Sequence, residues 1–484
     1  MRSAGATTLA KQKEHADGTR SFFAETYQNP AMQSGRYTTS LNRIGLNYIG
    51  RHATTPTRLE YGNRTNLFEV RIDAYIRKNK TTLWGHARYD NGKTKGIRYN
   101  ETSDFDLLYP YVIADTVGGD NQTSTYDFLG GFAQAIGRWV VGAEGQYQAQ
   151  MDYRTRDPRP KNLTGDLKVK VGASYNIGTY IAAASAGFRR YKQTNIVKTY
   201  SEISSPIFYH TTGLNTDYYR FRGENTNIYY KGIGWGVALD LAPANGHGMT
   251  ASIGYDRLTT EKIISDLNQL PINKKHAHRQ RAMLGYQHKY GPHTLGIRLS
   301  EQYAHDTGIE NIFGSALDNI YPQIGEERQY KHKQLDIHAG LLYQYRLHKA
   351  LYEATYNQGY QNLKEKYEEP RRSLRSAAII SMLSLKGLWQ TGNWQIQANL
   401  SAQYGWSVAD DLQLTGQTNA SLMPALDNYF AYLSHNRSTY TIGTEITYDT
   451  NRKYAVFLAT QWQFAKYMHT QHTHHIHLTL GVKF

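Results

Sequence analysis

The 484-residue chain contains no cysteine, so it has neither a disulfide framework nor a thiolate to serve as metal ligand or nucleophile. Proline is scarce, at 12 residues. No apolar run reaches the roughly 18 residues that a membrane-crossing helix needs, which excludes a helical membrane protein. Mean hydropathy is −0.64, yet 13% of the residues are aromatic, too many for a disordered chain. Helix-turn-helix, zinc-finger and RNA-binding signatures are missing. So are the G-x-S-x-G elbow, the H-E-x-x-H pair and the phosphate-binding P-loop. The formal charge is nevertheless +15, from 55 Lys and Arg against 40 Asp and Glu. Without a nucleic-acid motif, that excess points to anionic lipid headgroups, lipopolysaccharide above all, or to an acidic ligand. The start, Met1-Arg2-Ser3-Ala4-Gly5-Ala6, has no apolar signal core. An exported protein needs one, so a secretory signal is expected to have been removed or to lie outside this numbering.

What is present is alternation. From Val140 the chain puts Val141, Ala143, Tyr147, Ala149 and Met151 on one face, with Glu144, Gln146, Gln148, Gln150 and Asp152 on the other. Side chains of a strand point alternately to its two faces, so one face is apolar and the other wet. Phe68, Val70, Ile72, Ala74 and Ile76 oppose Glu69, Arg71, Asp73 and Arg77 in the same way. Leu335, Ile337, Ala339, Leu341, Tyr343 and Tyr345 oppose Asp336, His338, Gln344 and Arg346. Strands of a soluble sandwich average about 5–6 residues; runs of about 10 suit a tilted strand crossing a bilayer. The charged faces carry both signs, as a wet lumen would.

Tight links, most of them with Gly or Asn, recur at Lys78-Asn79-Lys80, Ile136-Gly137-Arg138, Asn176-Ile177-Gly178 and Pro243-Ala244-Asn245-Gly246. They return at Tyr290-Gly291-Pro292-His293, Leu347-His348-Lys349, Thr391-Gly392-Asn393 and Thr450-Asn451-Arg452. Such residues supply the positive φ of hairpin turns. Eight short turns alternating with nine longer connections predict 18 strands, and a slip of one hairpin would make 16 or 20. The longest connections are expected at residues 91–124, 195–227, 304–331 and 407–437. The fold class is all-β: a closed antiparallel transmembrane β-barrel with short periplasmic turns and long extracellular loops, in the outer membrane of a Gram-negative bacterium. The last strand alternates Ile476, Leu478, Leu480 and Val482 with His475, His477, Thr479 and Lys483, and finishes on Phe484. That ending resembles the signal read by barrel-assembly machinery.

Residues 1–35 lack alternation. They are expected to be a periplasmic leader to the first strand or a segment folded into the lumen as a partial plug, with residues 36–484 forming the barrel. Inward charged candidates are Glu69, Arg71, Asp73, Arg77, Arg88, Glu144, Asp152, Lys168, Lys170, Arg298, Asp336, Arg346 and Glu445. Rings of one sign would select ions of the other; with both signs present, selectivity and mutual neutralisation stay open. No cofactor is expected. The single exception is a divalent metal at the His-rich outer connection, where His469, His472, His474, His475 and His477 could share an ion; the plain alternative is a loop tip meeting water. A second stretch, Lys274-Lys275-His276-Ala277-His278-Arg279-Gln280-Arg281, could grip lipid A phosphates or an acidic partner, or simply be a solvated face. The acidic neighbours Glu326-Glu327, Glu368-Glu369 and Asp410-Asp411 are placed in outer loops. Adjacent side chains of an extended chain diverge, so they make poor acid–base pairs and the chain is not expected to be an enzyme.

Tyrosine-rich strands such as Tyr343-Gln344-Tyr345, together with the ending Leu480-Gly481-Val482-Lys483-Phe484, resemble those of Bacteroidota outer-membrane barrels. The whole chain resembles an uncharacterised barrel family encoded beside TonB-dependent transporters and surface lipoproteins. That resemblance implies an accessory role in nutrient uptake, with a TonB-dependent transporter and a surface lipoprotein as partners and no catalytic residues to carry over. TonB-dependent transporters have 22 strands and a lumen-filling plug, for which this chain is too short. The expected function is therefore a channel or accessory subunit of uptake; a plugged surface-binding scaffold is the alternative, and an outer-membrane hydrolase a third.

Overall fold

A strand that turns its apolar face to lipid must pair its backbone on both sides, because hydrocarbon offers no hydrogen bonds. In the computed structural model, which describes residues 8–201, 206–223, 226–318, 320–450, 453–468 and 470–484, that requirement is met by closure. Eighteen strands form one sheet, each paired antiparallel with its sequence neighbour. The first (Leu41–Ala53) meets the last (Gln471–Lys483) from Arg43 opposite Lys483 to Ala53 opposite Thr473. No free edge remains around the ring. Leu46, Phe68, Ile233, Leu239, Leu299, Leu341, Leu400 and Leu480 all stand exposed on the outside. A continuous apolar belt of this kind has no place in water, and lipid is its solvent. Among the described residues no helix is long and apolar enough to cross a membrane.

Six of the seven described tight turns lie where a glycine or asparagine places them, and Leu347-His348-Lys349 reverses the chain without either. Asn79 (φ 53), Gly137 (φ 61), Gly291 (φ 53) and Gly392 (φ 52) hold the left-handed conformations that these reversals need. Asn451 and Arg452 of the eighth turn lie outside the described residues.

The outer side differs from expectation in one respect. Residues 304–331 are mostly strand, not loop: the two longest neighbours run through Phe313 and resume at Gln323. Likewise the strand from Trp394 continues to Leu414 before a helix at Met423–Ser434. Glu326-Glu327 and Asp410-Asp411 therefore sit in strands. These strands overshoot the bilayer, and above it their amphipathicity inverts. Ile228 and Tyr230 point inward while Lys231 points out; Tyr330 points inward while Lys331 points out.

The inverted segments enclose a second core. Loop residues 98–118 and 206–223 fold back inside. There Ile113–Ala114 pairs with Tyr209–Gly213, which pairs with Thr216–Asp217. Phe105, Leu108, Val112 and Ile113 pack on the inward Tyr191, Tyr230, Ile264 and Ile272. The helix Met423–Ser434, with Pro424 in its first turn where no amide partner is lost, adds Leu426 and Leu433 against Tyr330, Tyr367 and Leu374.

The lumen as candidate functional site

Residues 8–36 run along the inner wall in four short helical segments. Gln12 donates from Nε2 to Glu445 at 2.8 Å and Thr447 at 3.0 Å. Asp17 is ion-paired with Arg346 and accepts from Gln344 at 2.8 Å. Arg298 donates to the Phe22 carbonyl at 2.7 Å. Phe22 and Phe23 pack with Met283 and Leu342. Lys170 donates to the Gln28 carbonyl at 3.2 Å, and Asn29 donates to Asp240 at 3.2 Å. Tyr75 donates to the Gln33 carbonyl at 2.7 Å, and Arg77 donates to the carbonyls of Ser34 and Tyr37 at 2.7 and 2.9 Å. Apart from Asn29, whose partner Asp240 lies on a later strand than the Lys170 that holds Gln28, these partners step backward round the barrel from the Arg437–Asp449 strand to the Arg64–Lys78 strand. Inward glycines make room: a Cβ on Gly142 would come within 2.7 Å of the Pro30 carbonyl carbon, and one on Gly285 within 2.4 Å of the Phe23 ring.

Five of the inward charged candidates, Arg77, Lys170, Arg298, Arg346 and Glu445, are thus spent on this segment. The others pair within the wall. Arg88 lies between Glu69 (3.9 Å), Asp90 (3.6 Å) and Asp127 (3.5 Å). Arg71 binds Asp73 at 2.9 Å, and Trp84 donates to Glu144 at 2.7 Å. Asp152 accepts from Thr123 and Gln150, and Asp336 from Gln334. Lys168 pairs with Asp166 at 3.3 Å. The two signs are unevenly spread. Carboxylates dominate the strands from Arg64 to Tyr153, whereas Lys168, Lys170, Arg189, Lys275, Arg279 and Arg281 face an adjoining chamber of about 490 Å³, which Asp106, Glu144 and Asp256 also line. Among the described residues Lys170 forms no ion pair, while Lys275 shares Asp306 with Arg279, at 3.9 Å, and donates to the carbonyls of Leu107 and Tyr109 at 2.6 Å each.

The basic stretch from Lys274 is divided by its own alternation. Lys275, Arg279 and Arg281 point into the lumen, and Lys274, His276 and His278 point outward. The histidines near the C-terminus divide in the same way. His475 and His477 face inward, the latter against Asn47 at 3.2 Å. His472 and His474 face outward, their rings 5.2 Å apart beside Phe464 and Trp462. His469 lies outside the described residues. The sheet thus does not bring the described four to one point.

Charged residues of the outer plug went unseen in the sequence. Arg154, 1% exposed at its side chain, reaches Glu101 at 2.6 Å and lies 3.7 Å from Asp115. Asn162 donates to the Glu101 carbonyl at 2.9 Å, pinning the loop to the wall. Arg58 stacks 3.3 Å from the Tyr429 ring centroid. Nearby Glu60 is buried, and burial, reinforced by Asp106 and opposed by Arg58, pushes its carboxyl up to about 7. A signal was available: the run Leu107-Leu108-Tyr109-Pro110-Tyr111-Val112-Ile113 is too apolar for a solvated loop.

Residues 30–484 match a family of unknown function (DUF6850). No curated protein matches the chain. Among solved structures, the ferric preacinetobactin receptor BauA from Acinetobacter baumannii is similar at 10% identity, covering 92% of this chain and 80% of that one, with a TM-score of 0.41. The siderophore receptor PiuA from Acinetobacter baumannii is similar at 8% identity, covering 93% and 82%, with a TM-score of 0.41. The copper transporter OprC is similar at 8% identity, covering 91% and 80%, with a TM-score of 0.42.

Proposed function

The chain belongs to this DUF6850 family, and we propose that it is an outer-membrane barrel of a Gram-negative bacterium that serves nutrient uptake as a closed accessory component, not as an open channel. The observation that carries the reading is the occupied lumen. A barrel of this strand number leaves an aqueous channel unless something fills it. Here residues 8–36 line one level, and the inward-folded loops pack a hydrophobic core at the other.

The accessory half of the reading is supported by the outer rim. At the tip of the tallest hairpin Ile312, Leu317, Ile320 and Ile324 stand exposed beyond the reach of acyl chains. Apolar side chains clustered in water mark a contact surface, which suits a protein partner such as a TonB-dependent transporter or a surface lipoprotein.

Planar-bilayer recording tests the closed lumen. The intact chain should give no stable conductance steps, and regular steps of uniform size would refute the reading. Purification from native membranes in mild detergent tests the partner. Co-elution of a second polypeptide is expected, and a barrel that always emerges alone would remove the accessory role.

A further inference from the structure

The outward face changes character abruptly on three neighbouring strands, Gln323–Arg346, Ala350–Tyr367 and Arg372–Thr391. On the first, Leu341, Ala339, Ile337 and Leu335 face lipid in succession, and the next two outward positions are Lys333 and Lys331. The register sets Lys333 directly opposite Lys364 and Lys331 directly opposite Lys366. Lys364 in turn faces Arg375 on its other side. Like charges directly opposite one another destabilise a sheet. The protein offsets little of this itself: Glu368 pairs with Lys331 at 2.7 Å, while among the described residues Lys333, Lys364, Lys366 and Arg375 form no ion pair. Asp411 stands across from Arg375 in the register without pairing to it. All four unpaired cations are exposed.

We propose that these cations form a binding site for the phosphate groups of a phosphorylated glycolipid in the outer leaflet. The height selects the ligand. The cluster begins one outward position beyond the last apolar one, where acyl chains end and headgroup phosphates lie. Lysine stems can lie along the apolar belt while their ammonium groups reach that layer. A phosphorylated lipid supplies the counter-charge that the sheet omits, and it brings acyl chains that fit the Leu335–Leu341 surface below.

The inference rests on the outer-membrane location proposed above, and the experiment separates the two. Detergent-dependent extraction from the membrane fraction checks the location. Native mass spectrometry of the purified full-length barrel, with lipid A carrying two phosphates or with its dephosphorylated form, checks the site. The wild type should prefer the phosphorylated lipid. The double substitution Lys333→Gln/Lys364→Gln should weaken that binding roughly fivefold per lysine, about 30-fold together, without changing affinity for the dephosphorylated form. Equal binding of both lipids by the wild type would overturn the site, and that arm needs no variant to fold. Unchanged affinity in the double variant, or displacement of the lipid by millimolar inorganic phosphate, would overturn it as well.

Discussion

At the residue scale, the outer plug is held by charges buried at a cost and compensated individually. Arg154 answers two carboxylates that have lost water entirely, since Glu101 and Asp115 are both 0% exposed. A buried charge left without its partner is strongly destabilising, so loop 98–118 loses its seat if one side of this contact is removed. Glu60 is the counterexample, buried and without an ion pair among the described residues. Its free carboxyl titrates near 4.5 and its folded-state value is about 7. The folded loops therefore keep a proton that the open chain releases between those values. The associated stability is full below about 4.5 and is lost as pH rises through about 7. Hydrogen exchange corrected for intrinsic rates should show the opening free energy of loops 54–63 and 98–118 falling from pH 5 to pH 8, by roughly 3 kcal/mol at most. Glu60→Gln should flatten that slope; a variant with the wild-type slope would exclude Glu60 as its source.

At the scale of elements, alternation and turn chemistry made the transmembrane portion readable. Leu335 to Tyr345 and Ile476 to Phe484 each declare their lipid face, and Gly137 and Gly392 declare the reversals between strands. The overshooting strands were unreadable by the same rule. Above the bilayer the apolar side of Asn227–Pro243 turns inward at Ile228 and Tyr230, and a pattern that inverts midway along a strand looks like none. Residues 8–36 were ambiguous because their partners, such as Arg346 and Glu445, lie hundreds of positions away. The inward charged residues were legible one by one, but which of them hold the segment and which neutralise a neighbour depends on cross-strand register. Gly142 had no signature at all, although its missing side chain is what lets Pro30 approach. Gly142→Leu should force the segment off this stretch of wall. Overpacking of this kind costs about 1–3 kcal/mol, so trypsin should cut at Arg20 roughly tenfold faster or more while the barrel stays intact. Cleavage at the wild-type rate would show that the groove tolerates the side chain.

At the scale of the whole molecule, the strand ring and its contents make opposite demands. The ring is a continuous ladder whose seam, Arg43 to Ala53 against Lys483 to Thr473, is as regular as any other junction. No local event can open it without exposing backbone to lipid. The segment inside is a ribbon laid round the circumference, touching Glu445, Arg346, Arg298, Lys170 and Arg77 in turn. Glu14, which accepts from Thr38 and Thr39, and Arg20, which donates to the Gly35 carbonyl, tie its first turns to its far end, but the attachments to the wall follow one another and do not share a load. Tension on the chain ahead of Thr8 would fall first on buried Leu9, whose carbonyl accepts from Gln395, and on Gln12 and Lys13, then on Asp17, then on Phe22 and Phe23, unzipping the ribbon at low force while the ladder stays whole. Optical-tweezer extension from that end should therefore record a staircase of small releases. A single large rupture would mean that the ribbon is gripped as one body.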